Sequence, residues 1–190
     1  LLVKTVGDLI ALAKAKPGQI TYASGGIGTA MHLSGELFGI MSGTNLVHVP
    51  YKGSGPAVAA AAAGETSLAF ADITSALPLM KSGRVKPVGI LSRQRSELAP
   101  DIPTFGETGI PGYESIGWFG LLGPAGLPAA IVSRINAETA VVMQLPEIRA
   151  RLLNAALEPW VSTPEELTRF MKAEMAKWAE VIKTSGTKIE

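Results

Sequence analysis

Between a β-favouring stretch, Gln19 to Ala23, and a segment where Met31, Leu33, Leu37 and Ile40 recur at helical spacing lies the run Ser24-Gly25-Gly26-Ile27-Gly28-Thr29. A strand, a glycine-rich turn and a helix in that order gather unpaired backbone N–H groups at the positive end of a helix. Glycine then lets an anion approach the backbone closely. His32 falls in the first turn of that helix, within reach of the same anion. Two more loops carry chemistry. Tyr51, Lys52, Gly53 and Ser54 offer hydrogen-bond donors and one cation, and Asp72 with Thr74 offers a carboxylate and a hydroxyl. Lys52 taken alone is an ordinary solvated lysine. Asp72 has two readings, as the cap of the helix that follows or as an acceptor for a ligand amine or hydroxyl. Converging on one edge, the three loops suit a small anion.

Other chemistries are disfavoured. The glycine run fits neither G-x-G-x-x-G nor G-x-x-x-x-G-K-[ST], which argues against a nucleotide. His32 and His48 are the only histidines, neither has a carboxylate at metal spacing, and Cys is absent, so no metal, thiolate site or disulfide is expected. A Ser-His-Asp hydrolase can be written from Ser24, His32 and Asp72, but no G-x-S-x-G elbow accompanies it. Lys+Arg 17 against Asp+Glu 16 leaves a net charge of +1, too little to hold nucleic acid or an anionic membrane. The apolar run Ala57 to Ala63 falls far short of the ~20 residues that cross a bilayer.

The elements that would position these loops alternate. Helical spacing covers Val6 to Ala15 and ends at Pro17-Gly18; strands follow at Gln19 to Ala23, Leu46 to Val49, Ser67 to Ala71 and Pro87 to Leu91, with helices between them. Pro56 opens one of those helices and Gly64 stops it. Strands and helices alternating at this pitch predict an α/β fold with a parallel sheet flanked by helices. A proline- and glycine-rich connection, with one short helix at Thr104 to Thr108, leads to a lobe boundary near Gly112. Beyond it the pattern predicts strands at Tyr113 to Leu122 and Glu158 to Val161, and helices at Pro128 to Met143, Pro146 to Ala155 and Pro164 to Ser185, the last capped by Thr163. Trp118, Trp160 and Trp178 read as packing residues, with Trp118 also placed where it could flank a cleft.

The runs YASGGIGTAMHLSGELF, VHVPYKGSGPAV, FADITSALPLMKSGRVKPVGI, DIPTFGETGIPGYE, WFGLLGPAGLP and TPEEL, in that order along nearly the whole chain, resemble the Bug family. These are the extracytoplasmic, TctC-like binding proteins of tripartite tricarboxylate transporters. The resemblance implies a periplasmic-binding-protein-like Venus flytrap that captures a small organic carboxylate in the periplasm and passes it to membrane permease subunits. It implies no cofactor and no enzymatic step. By position it assigns Ser24, Gly25, Gly26, Gly28, Thr29, His32, Tyr51, Lys52, Gly53 and Asp72 to the ligand. Residues 1–112 would be the second, ligand-binding lobe, and 113–190 the return segment and C-terminal helices completing the first.

The start at Leu1-Leu2, without Met, is expected of a processed chain or a piece of a longer one that supplies the opposite wall. In its absence the segment from Tyr113 onward is expected to expose an apolar face and to form dimers or swapped assemblies. Two rival classes stay open on residues alone: a ligand sensor for a signalling partner, and a small α/β hydrolase.

Overall fold

The computed structural model describes residues 3–155 and 157–188; Leu1, Leu2, Ala156, Ile189 and Glu190 lie outside the described residues. The chain divides into two compact units, one of Leu1–Gly117 with Ala179–Glu190, the other of Trp118–Trp178.

The first unit opens with helix α1 (Val6–Ala15), fixed by reciprocal bonds: the Asp8 amide donates to Thr5 Oγ1 at 3.1 Å and the Thr5 amide donates back to Asp8 Oδ2 at 3.0 Å. Then come β1 (Ile20–Ser24), α2 (Ala30–Ser42), β2 (Leu46–Pro50), α3 (Ser54–Ala63), β3 (Leu68–Ala69), α4 (Ile73–Lys81) and the short α5 (Phe105–Thr108). The strands are parallel in the order β2-β1-β3, with Tyr22 opposite His48 on one side and Leu68 on the other. Right-handed crossovers to opposite sides of a central strand put their helices on opposite faces. Accordingly α2 packs on β1 and β2, and α3 on β1 and β3. Gly64, with φ +82°, ends α3 in the left-handed conformation where the sequence places its stop.

The core of this unit is aromatic. Phe38, Phe70, Phe105 and Tyr113 meet at centroid distances of 5.0 to 6.4 Å, with Tyr22 edge-on to Phe70 at 5.4 Å. Such rings contribute mainly by the area they bury. Tyr113 is 1% exposed and donates its hydroxyl to the Ser34 carbonyl at 2.8 Å, beside a Ser34–Ser115 hydroxyl pair at 2.6 Å. Tyr113→Phe removes that donor and keeps the ring. It is expected to lower unfolding stability by about 1 kcal/mol in urea denaturation, whereas Tyr113→Ala should cost about 3–5 kcal/mol through the cavity it leaves.

Three expected strands differ. Pro87 to Leu91 makes a single parallel bridge, Ile90 to Thr104. Pro87 lacks a donor for a ladder, and Gly89 lies so close to Phe105 that an added Cβ would stand 2.7 Å from its ring. Tyr113 to Leu122 and Glu158 to Val161 form no strand among the described residues. Extended chain becomes a strand only where a neighbour takes its amides and carbonyls in series. Near the start of the former segment the Ser115 amide donates to Leu91 O at 2.8 Å, one bond and not a ladder.

The second unit holds α6 (Ala129–Gln144), α7 (Pro146–Asn154) and most of α8 (Pro164–Ser185), the last few residues of which belong to the first unit. Thr163 caps α8 as expected, its Oγ1 accepting from the Glu166 amide at 3.1 Å while its own amide donates to Glu166 Oε2 at 2.8 Å. Trp118 and Trp160 both pack edge-on to Phe170, at 5.4 and 5.1 Å. Among its described residues no apolar side chain is buried.

Candidate anion-binding edge

The C-terminal ends of β1, β2 and β3 lead directly into the N-termini of α2, α3 and α4, so three helix starts share one edge of the sheet. With β2 and β3 on opposite sides of β1, the connections diverge there, and ligands of open α/β sheets bind at such a divergence. Hydrogen bonds from backbone amides stitch the loops together. The Tyr51 amide donates to Ser24 O at 3.0 Å, the Gly53 amide donates to Gly25 O at 3.1 Å, and the Asp72 amide donates to Ser54 Oγ at 2.9 Å.

Inside the glycine loop, the Gly26 carbonyl takes a bond from Thr29 Oγ1 at 2.8 Å, and Thr29 in turn caps α2 by accepting from the His32 amide at 3.3 Å. Gly26 has φ +133° and Gly28 φ +76°, conformations costly for residues with a Cβ. The amides of Ile27, Ala30 and Met31 find no acceptor among the described residues. For Ala30 and Met31 that is the ordinary state of a helix's first turn. The Ile27 side chain is 56% exposed, so this loop is open to solvent. Such a constellation of bare donors, augmented by the helix dipoles, attracts an anion.

Behind the loop lies a group of polar side chains. Ser24, fully buried, meets His48 Nε2 at 2.6 Å; the His32 and His48 rings stack at 3.8 Å, 15° from parallel; the Gly28 amide donates to His32 Nδ1 at 3.1 Å. His32 does have a carboxylate at i,i+4 spacing, contrary to the sequence reading: its Nε2 stands 3.5 Å from Glu36 Oε1, which also takes the Tyr22 hydroxyl at 2.6 Å. No group of three or more side chains that could hold a metal forms among the described residues. Burial, and then the neighbouring His32, pull the His48 imidazole down to about 4. Burial lowers His32 as well, outweighing the opposite pull of Glu36. Burial and the Glu36 carboxylate push the Tyr22 phenol far above its usual value. The sign follows: unfolded histidines take up protons near pH ~6.5 that the native pair refuses, so stability is full above that pH and declines as pH falls toward His48's value. The urea midpoint is expected to drop between pH 6.5 and 4.5. His32→Gln/His48→Gln should flatten that slope, and an unaltered slope in the double variant would refute the assignment.

Ser24, Gly25, Gly26, Gly28, Thr29 and Gly53 come together at this edge. His32 is 6% exposed and directs its ring nitrogens to the Gly28 amide and Glu36, behind the loop. Tyr51 reaches the edge through its backbone, while its hydroxyl bonds Glu65 at 3.1 Å. Lys52 and Asp72 are exposed, and Asp72 stands at the N-cap of α4 without a side-chain cap bond. The paper triad of Ser24, His32 and Asp72 does not assemble, because the Ser24 hydroxyl is held by His48. Ser54, expected as a loop donor, instead accepts from the Asp72 amide, and His48 is the participant that sequence reasoning left out of the site. A surface recess of about 490 Å³, lined by Ala13, Pro17, Ile40, Gly43, Asn45 and Thr184, lies at the opposite edge of the sheet, where β2 begins.

No helix among the described residues is long and apolar enough to cross a membrane. A parallel α/β unit that turns three helix starts and a loop of bare amides toward one sheet edge has the arrangement in which open α/β sheets hold their ligands. Residues 2–187 match the family described as "Tripartite tricarboxylate transporter family receptor", and the chain belongs to that family. The family is the one its motif runs resemble. BugT of Bordetella pertussis is 30% identical over 190 residues, which is 100% of this chain and 58% of that protein. Rpa4515 of R. palustris, solved with adipate, is 33% identical with a TM-score of 0.79, covering 98% of this chain and 62% of the other. MatC of Rhodopseudomonas palustris, solved with malate, is 28% identical with a TM-score of 0.69, covering 94% and 62%. The chain therefore spans about three fifths of these relatives' length. The family is described as one of receptors, and BugD, a solved neighbour 27% identical with a TM-score of 0.72, is a periplasmic binding protein.

Proposed function

We propose that this chain supplies one wall of a periplasmic receptor that captures a small organic carboxylate and presents it to the membrane permease subunits of a tripartite tricarboxylate transporter. The observation that carries the reading is the edge where α2, α3 and α4 begin, with the Ile27, Ala30 and Met31 amides unclaimed. A carboxylate offers oxygens to several N–H donors at once, and charge-assisted bonds of this kind are the strong ones. Malate in MatC and adipate in Rpa4515 make this ligand class the natural one to test. In this reading the first unit forms the ligand-binding lobe, expected at residues 1–112, and the second unit, Trp118–Trp178, serves the other. Calorimetry with malate, adipate and an uncharged diol of similar length is the test, run on this chain and on one extended to the relatives' length. Saturable binding of the diacids and none of the diol is expected; no diacid binding by either chain would end the proposal.

We infer also that, where the rest of its lobe is absent, the second unit pairs through its apolar surface with a second copy of this chain. Phe119 is 87% exposed, Leu121 68%, Val141 61% and Met175 69%, in a unit that buries no described apolar residue. Apolar side chains this exposed, where they gather into one patch, are what an interaction surface is made of. Light scattering should show a concentration-dependent dimer, and Phe119→Ser with Leu121→Ser should weaken it. A monomer at high concentration that binds no hydrophobic dye would contradict this.

A further inference from the structure

The His48 ring lies on β2, outside the residues assigned to the ligand, yet it touches two of them. Ser24 Oγ has three partners: His48 Nε2 at 2.6 Å, the Gly26 amide at 3.1 Å and the Gly26 carbonyl at 3.2 Å. A hydroxyl has one proton and two lone pairs. All three contacts are satisfied together only if His48 carries its proton on Nε2 and donates it to Ser24, leaving the Ser24 proton for the Gly26 carbonyl. His48 thus fixes which way the Ser24 hydroxyl points. The other histidine serves the next pinned amide. His32 Nδ1 accepts from the Gly28 amide, and the His32 ring is held flat against His48 at 3.8 Å. Gly26 and Gly28 are therefore turned inward, one by hydrogen bond and one by stacking, and the Ile27 amide between them is left without an acceptor.

We propose that His48 is a positioning residue of the glycine loop: its Nε2–H orients Ser24 and so the Gly26 amide, its ring face orients His32 and so the Gly28 amide, and the alternation leaves the Ile27 amide to the ligand. The last step rests on the carboxylate reading above. The first two do not, and they separate in two variants. His48→Phe keeps a flat ring against His32 but has no donor for Ser24. His48→Gln keeps an N–H donor but loses the ring.

The measurement is amide hydrogen exchange by NMR on this chain, with the core amide of Phe38 as reference, alongside malate calorimetry. In His48→Phe, exchange at Gly26 is expected to rise at least about tenfold while Gly28 stays protected; in His48→Gln the pattern reverses. A residue that merely fills space would loosen both amides together. Both amides unchanged, or both rising in step with Phe38, overturns the positioning role. With the crossed pattern present, each variant should also lose malate affinity about tenfold. The crossed pattern, with no malate binding by this chain or by one extended to its relatives' length, leaves the positioning role standing and removes the carboxylate reading.

Discussion

Gly35→Ala is expected to destabilise the protein by about 2 kcal/mol, even though alanine is the better helix former by roughly 0.5–1 kcal/mol. Gly35 lies in the middle of α2 and is buried against the Tyr22 ring; a Cβ there would stand well inside van der Waals distance of Cε2 and Cζ, and 2.9 Å from Cδ2. Something must move, and Tyr22 is badly placed to do so. Its ring is 1% exposed, stacks on His48 at 4.9 Å and meets Phe70 edge-on, while its hydroxyl is tied to Glu36 and to the His32 carbonyl. Displacing it disturbs the core and the polar group behind the loop together. Gly55→Ala in α3 is the control, since nothing lies within 4 Å of its Cβ position. That variant should be neutral or more stable by up to about 1 kcal/mol. Thermal unfolding would show Gly35→Ala lower by several degrees, at roughly 2–4 °C per kcal/mol for a chain of this size. Equal midpoints for the two variants would mean that α2 and β1 are not packed this tightly.

Gly26→Val should reduce carboxylate affinity on the order of tenfold to a hundredfold, while Lys52→Ala changes it less than about fivefold. At φ +133° a β-branched residue is strained wherever space allows, and here its Cβ would also sit 3.4 Å from the Tyr51 carbonyl. The Gly26 carbonyl anchors Thr29 and the Gly26 amide anchors Ser24, so a shift at this one residue spreads along the loop. Lys52 is exposed beside the loop, where water and salt screen its charge. Calorimetry with malate on both variants, with circular dichroism as the folding check, decides the matter. Loss of binding in Lys52→Ala with retention in Gly26→Val would make the site an ion pair built on a side chain.

What was legible in the sequence was local. The α1 and α8 spans match their periodicity because caps and apolar spacing are written within each helix, and the three strand–loop–helix units announce themselves by glycine and proline. The strand read at Tyr113 to Leu122 needs a long-range neighbour that alternation of residue types cannot supply. His48 was passed over for a related reason. Its partners on β1, Tyr22 and Ser24, are reached only through the β1–β2 register, and a shift by one residue would turn it to the other face of the sheet. His32 sits in the expected place, but the direction of its ring, toward the Gly28 amide and Glu36, depends on contacts no motif encodes.

The backbone clasp between the first two loops, where the Gly53 amide donates to Gly25 O and a Cβ on Gly25 would stand 3.3 Å from the Gly53 carbonyl carbon, bears on the kinetics of capture under the proposed carboxylate reading. Loops joined in this way are ordered when the chain folds, so an arriving anion meets donors already in place and loses little further chain entropy. Encounter should then be fast and much the same for any small diacid. Discrimination among them falls to how long each remains, and rates of release, more than rates of arrival, will rank the ligands.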